Sequence, residues 1–309
     1  MSSPRRYFRY DVQIAMHLEP VDRYGRHLGA ERRQLVTAEE EAHLASINKE
    51  LNKLLEAVFN SSSDALYVFY VLNHRIDFIW WMTDLLLESN DPRHESDYNF
   101  RTKEDRKHTA PIKKEGSKIS TLIQGIYQAV ELYIIELQTV IKKSVAGKIF
   151  LYPWKSQAHF DAKNYVKNLD DLAESGVLPA KILQLIIEKL NLQATILERL
   201  KGVYRKISRA EEWPVYQVNL SCGGFSFFTS ETYSIFSSMD LFMQIGEVVM
   251  VCRGKIISQV ALECEPDTSV KYRVAVEFDL LTGEQVRAIT LFLQHEEIKG
   301  AMATVALPF

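Results

Sequence analysis

Two short clusters, far apart along the chain, carry the side chains best suited to holding a ligand. The first is R-R-Y-F-R, with Arg5, Arg6 and Arg9 near the N-terminus. The second is N-L-S-C-G-G, where Asn219, Ser221 and Gly224 break an aromatic-rich run that reads V-Y-Q-V before it and F-S-F-F after it. Arginine offers a planar fork of N–H donors with a permanent charge. Asparagine adds an amide oxygen, serine a small hydroxyl, and glycine a backbone with no Cβ to hold a ligand away. This is the chemistry of non-covalent binding. No bond-making set stands beside it. Ser221 sits in no G-x-S-x-G turn, and neither a P-loop nor a G-x-G-x-x-G segment occurs.

Metal and thiol chemistry find no better support. His17, His27, His43, His74, His94, His108, His159 and His295 are scattered, with no H-E-x-x-H and no paired spacing. Cys222, Cys252 and Cys264 form no C-x-x-C, so neither a zinc site nor a disulfide framework is expected. Cys222 reads as a small residue of a strand turn, His74 as a packed or capped core residue, and Phe78 with Trp80 and Trp81 as helix core.

The elements that must position the two clusters follow from periodicity. Val12, Ile14, Met16 and Leu18 alternate with Asp11, Gln13 and His17, which predicts a half-buried strand ended by Pro20. Thr37 and Glu40 then form a capping box, and Leu44, Ile47, Leu51, Leu54 and Val58 follow at helical spacing. The S-S-S-D segment at 61–64 breaks that helix, and a more apolar one runs to about Leu87. Residues 88–118 have almost no apolar period and read as a solvated loop, the mixed-sign K-E-D-R-K run included. Helical pattern returns at Ile119 to Lys143 and at about Phe160 to Ser175.

A helix opening near Pro179 carries the strongest period. Leu183, Ile186, Leu190, Gln193, Leu197, Leu200, Tyr204 and Ile207 alternate three and four apart, with Gln193 the one polar member. A second stripe of Leu185, Leu192, Ile196 and Val203 widens the face, which suits a bundle of several helices. The seam is expected to assemble copies of the chain; the plainer reading is an intramolecular core helix.

After Trp213-Pro214 the period drops to two. Tyr216 to Val218, Phe225 to Phe228, Val248 to Cys252, Ile256 to Glu263 and Val270 to Phe278 read as strands, with turns at Gly223-Gly224, Gly246, Gly254 and Pro266-Asp267. Thr282 and Gln285 form another capping box, opening a helix with Val286, Ile289 and Phe292 inward. The fold class is therefore α+β, a small antiparallel β-barrel split by a long α-helical insertion. A lone N-terminal strand is too little to fold by itself, so residues 1–36 are expected to join 211–309, with 37–210 as the inserted, oligomerising region. That topology would bring the arginines to the Asn-Ser-Gly segment.

On these residues the chain resembles the PilZ domain family. R-R-Y-F-R fits the family's R-x-x-x-R element and N-L-S-C-G-G its [D/N]-x-S-x-x-G element. Gly246-Glu247-Val248, the Y-R-V-A-V-E-F run and the closing helix continue the likeness, over about residues 4–20 and 213–298. The resemblance implies a small β-barrel that binds cyclic di-GMP, the ligand contacts falling to Arg5, Arg6, Arg9, Asn219, Ser221 and Gly224. The residue types suit it. A guanidinium fork matches guanine O6 and N7, a match worth about 1–3 kcal/mol of discrimination, and arginine stays charged against the phosphates. The insertion departs from the ordinary family pattern and resembles a subgroup with long heptad helices that assemble as tetramers.

Composition bounds the rest. The chain of 309 residues is 47% hydrophobic and 25% charged with a net charge of -3, so no bulk affinity for nucleic acid is expected. The start, M-S-S-P-R-R-Y-F-R-Y-D, lacks the apolar core of a signal peptide. Asn73, His74, Arg75, Asp77 and Asp84 rule the apolar run Ala65 to Leu87 out as a membrane span. The expectation is a cytoplasmic receptor, not an enzyme, with no cofactor or metal, which passes second-messenger level to a protein partner through an oligomeric helical region. The alternative is a scaffold of PilZ descent that binds only proteins.

Overall fold

The computed structural model describes residues 8–21, 32–59, 64–112, 117–145, 147–148, 159–165, 169–207, 209–262 and 272–305. The chain divides into two compact units, one built from residues 1–31 and 209–309, the other from 32–208.

The first unit is a closed antiparallel barrel in the order β1-β2-β3-β6-β5-β4. Its strands are β1 (Tyr10–Pro20), β2 (Val215–Ser221), β3 (Gly224–Thr229), β4 (Ser238–Ile245), β5 (Val248–Ala261) and β6 (Tyr272–Phe278), and α8 (Gly283–Val305) follows them. Alternation works as expected for β1. Val12, Ile14 and Met16 enter an interior shared with Val218, Leu220, Phe225, Phe227, Leu241, Val274 and Val276. Closure leaves no free strand edge. The Thr282–Gln285 box caps α8, each residue's backbone N–H meeting the other's side chain. Ile289 and Leu293 close the interior with Phe292 partly buried, while Val286, expected inward, is exposed.

Two strand boundaries differ from the alternation reading. Strand β4 was not expected because both of its faces are covered. Met239, Leu241, Met243 and Ile245 point inward, and Phe242, on the other face, lies under His17 and Trp213 with nothing left for solvent. Gly254 is not a turn. It lies inside β5, opposite Met239 and Phe278, where a Cβ would meet Leu241 Cδ1 at 2.6 Å and Val276 Cγ1 at 2.7 Å. The glycine lets three strands curve tightly. Gly246 does turn the chain, with φ at +62°. Pro266-Asp267 lies outside the described residues.

The second unit is helical. It contains α1 (Arg32–Leu35), α2 (Ala38–Phe59), α3 (Asp64–Leu87), α4 (Tyr98–Asp105), α5 (Lys118–Lys143), α6 (Leu169–Glu174) and α7 (Leu178–Val203), with short 3-10 turns at Pro92–His94, Ala162–Asn164 and Tyr204–Ile207. The Thr37–Glu40 box starts α2 as expected, and most of the 61–64 break lies outside the described residues. Helix α7 is the centre, contacting α2, α3, α5 and α6. Leu183, Ile186, Leu190, Gln193, Leu197, Leu200, Tyr204 and Ile207 are all buried within the chain. The intramolecular reading accounts for the whole seam, which has no surface left to offer a second copy.

Residues 88–118 are not a solvated loop throughout. They contain α4, and its last residue, Asp105, is buried against Arg75 of α3 through two hydrogen bonds of 2.9 and 3.1 Å. Trp81 stacks on Phe78 and Tyr98, and the Arg101 guanidinium lies 4.6 Å from the Trp81 ring centre. Asp105 of the K-E-D-R-K run is thus half of a buried ion pair, while Lys103, Arg106 and Lys107 are exposed. His74, expected in the core, is exposed with its ring edge on His108. Within the expected helix at 160–175, the described residues form a 3-10 turn and α6.

Candidate functional site

Strand pairing decides which binding residues meet. Strands β1 and β2 are antiparallel, with Tyr10 opposite Leu220 and Asp11 opposite Asn219. Even-numbered residues of β1 fill the interior, so odd-numbered ones face outward. Arg9 immediately precedes β1, one residue before the Tyr10–Leu220 pair, and it is exposed. Cys222 and Gly223 connect β2 to β3, and Ser221 pairs with Gly224. The last arginine of the N-terminal cluster thus stands next to the strand that pairs with Asn219, while Ser221 and Gly224 are buried. Arg5 and Arg6 lie outside the described residues.

The individual side chains have definite occupations. The Asn219 amide donates from Nδ2 to Asp11 Oδ1 at 2.7 Å. A carboxylate therefore stands within the cluster, beside any anion that enters it. Sequence reasoning missed Asp11 as a site residue. Alternation put it on the outer face of β1, but only the register puts it opposite Asn219.

Ser221 is 1% exposed. Its hydroxyl donates to the Gly224 carbonyl at 2.9 Å and accepts from the Gly223 N–H at 3.3 Å. Its expected ligand contact is closed off in this arrangement; the hydroxyl braces the hairpin turn instead. Gly224 also has a structural reason to be glycine. Its φ is +149°, and a Cβ there would lie 2.1 Å from the Val276 carbonyl oxygen. The missing side chain lets β3 pair closely with β6, where Gly224 faces Glu277.

Helix α8 borders the turn. Cys222 Sγ lies 3.2 Å from Thr290 Oγ1, and both belong to this flank. Among the described residues Cys222 and Cys252 are free thiols. Burial in the barrel interior pushes the Cys252 thiol up to about 12, so it supplies no thiolate. No group of three His, Cys, Asp or Glu among the described residues is placed to hold a metal ion. No described helix is long and apolar enough to cross a membrane.

The described part of the site consists of an exposed guanidinium, an amide held by its carboxylate neighbour, and a tight glycine turn. A scan against protein-family models finds no matching family, and searches of curated proteins and of solved structures find no match.

Proposed function

We propose that the barrel unit binds cyclic di-GMP across the outer ends of β1 and β2, acting as a non-enzymatic effector. One observation supports the reading: the Asp11–Asn219 register, which pairs the strand that Arg9 precedes with the strand that leads into the Asn219–Gly224 segment. Arg9, joined by Arg5 and Arg6, supplies the forks for guanine edges and phosphates. Asn219 releases Asp11 and turns its amide to a guanine. Ser221 and Gly224 act indirectly, by holding the turn whose backbone the ligand meets. A homotetramer is no part of this reading, since the helical seam that suggested it is buried.

Calorimetric titration of the full chain with cyclic di-GMP tests it. The expected result is a saturable heat with Kd of about 1 μM, or −8 kcal/mol. Arg9→Ala and Asn219→Ala should each weaken binding about tenfold or more. No heat from the folded wild-type chain would remove the receptor reading.

A second reading, a barrel that engages only proteins, draws on the internal engagement of the Ser221 hydroxyl and the Asp11 carboxylate on Asn219. It expects no heat at all, and no effect of Arg9→Ala on stability.

A further inference from the structure

The loop between β3 and β4 carries a feature that nucleotide binding does not use. Ser237 donates to the Ser234 carbonyl from its backbone N–H at 3.1 Å and from its hydroxyl at 2.6 Å. These bonds close a tight turn with Ile235 and Phe236 at its two central positions. Phe236 has φ of +68°, a conformation that turn chemistry reserves for glycine or asparagine. Yet both side chains face solvent, Ile235 52% and Phe236 68% exposed. The turn is not loose. Phe236 N–H donates to the Ile256 carbonyl at 2.7 Å, and Ile256 N–H donates to the Ser237 carbonyl at 3.0 Å.

Two neighbours extend the patch. The register of β5 on β6 slips between Ile256 and Ser258, so Ile257 is the extra residue of a bulge and is exposed. The Lys255 ammonium lies 5.2 Å from the Phe236 ring centre, and among the described residues no carboxylate pairs with it. The strained, backbone-pinned turn holds two large apolar side chains largely in water. Backbone strain of this kind points to function, and a rigid aromatic anchor is what protein interfaces select.

We propose that the Ile235–Phe236 turn is a docking knob for another protein, one presenting an apolar pocket with a carboxylate at its rim to meet Lys255. The local charge favours a protein over an anionic lipid surface. Lys255 is a single cation, and its cross-strand neighbour on β6 is Glu277, whereas lipid-binding loops gather several basic residues. The inference does not depend on nucleotide binding.

Phe236→Gly is the decisive variant, because glycine relieves the positive φ. Its melting temperature should equal or exceed that of the wild type, so a loss of docking cannot be unfolding. A photo-crosslinking phenylalanine placed at 236 in the full chain, expressed in its native cells, identifies what the knob touches, with the same probe at the exposed Phe228 as control. The expected result is one adduct with a different protein from 236 and none from 228. With that protein purified, Phe236→Gly and Lys255→Glu should each weaken binding about tenfold, and reversing a carboxylate on the partner should restore the Lys255→Glu chain. No adduct, an adduct with a second copy of this chain, unchanged affinity in Phe236→Gly, or no charge-swap rescue would overturn the proposal. So would sedimentation with phosphatidylcholine–phosphatidylglycerol vesicles that Phe236→Gly abolishes.

Discussion

In the barrel the core cluster, with Ile14, Met16, Leu220, Phe227, Leu241 and Val274, is apolar, and the deepest polar side chain, Ser221, bonds its own turn. In the helical unit Arg75, Asp105, Glu136, Lys189 and Lys201 lie as deep as the leucines beside them. Lys201 Nζ is 2.6 Å from Glu136 Oε1, and Lys189 Nζ is 2.8 Å from Asn73 Oδ1 and bonded to Asp77. The difference reflects what already fixes each interior. In the barrel the hydrogen-bond ladder sets register, and a slip of one residue would turn every interior side chain outward. Helices have no ladder between them and can slide or rotate on apolar surfaces. We propose that the buried ion pairs supply positional definition there, with little net gain in stability.

That contrast can be broken most sharply at Lys201. Replacing it alone with methionine removes the ammonium that bonds both Glu136 and Glu198 and should cost about 3–5 kcal/mol. The double change Lys201→Met with Glu136→Leu, which leaves only the partly exposed Glu198 without Lys201, should recover most of that loss, as read by urea denaturation. A double variant as unstable as the single one would mean that the pair contributes net stability. In the barrel the corresponding sensitivity is backbone geometry. Gly224→Ala forces a Cβ onto the Val276 carbonyl and should cost about 2–3 kcal/mol. Gly176→Ala, at φ +87° but with open space around it, should cost about 1 kcal/mol. Equal effects at the two glycines would put the demand on φ alone.

The smallest expected effects depend on pH, and both belong to the helical unit. The Arg199 guanidinium, 2.6 Å from Glu40, lowers the Glu40 carboxyl from 4.5 to about 2. The stability it contributes is present above pH 4.5 and is lost as pH falls toward 2. Glu40→Gln should flatten the acid limb of the helical unit's unfolding by about 1 kcal/mol. Lys189 runs the other way. Burial holds its pKa below the ordinary 10.5, against the pull of Asp77. The unfolded chain then binds that proton more readily, and stability rises as pH climbs through the folded value toward 10.5. Lys189→Met should remove that alkaline rise.

Much of the architecture was legible because it rests on local chemistry. The Thr37–Glu40 and Thr282–Gln285 boxes, the alternation of β1 and the closing of a barrel around a lone N-terminal strand all follow from spacing. What was not legible depends on long-range pairing. Strand β4 shows no alternation because His17 and Trp213 cover its outer face. Asp105 reads as a solvated charge until α3 brings Arg75 to it. The heptad seam of α7 was plain, but a period cannot tell a neighbour in the same chain from one in another. At the site, residue types were visible and occupations were not. Ser221 serves its own turn and Asp11 holds Asn219, both fixed by a register that the sequence does not carry.

The most direct test of the central claim is amide hydrogen exchange on the full chain, with and without saturating cyclic di-GMP. The two halves of the proposed surface should slow together: the amides of residues 5–9 and those of Asn219 to Gly224, with α7 unchanged. Protection at neither segment, or at one without the other, would contradict a ligand held between Arg9 and the glycine turn.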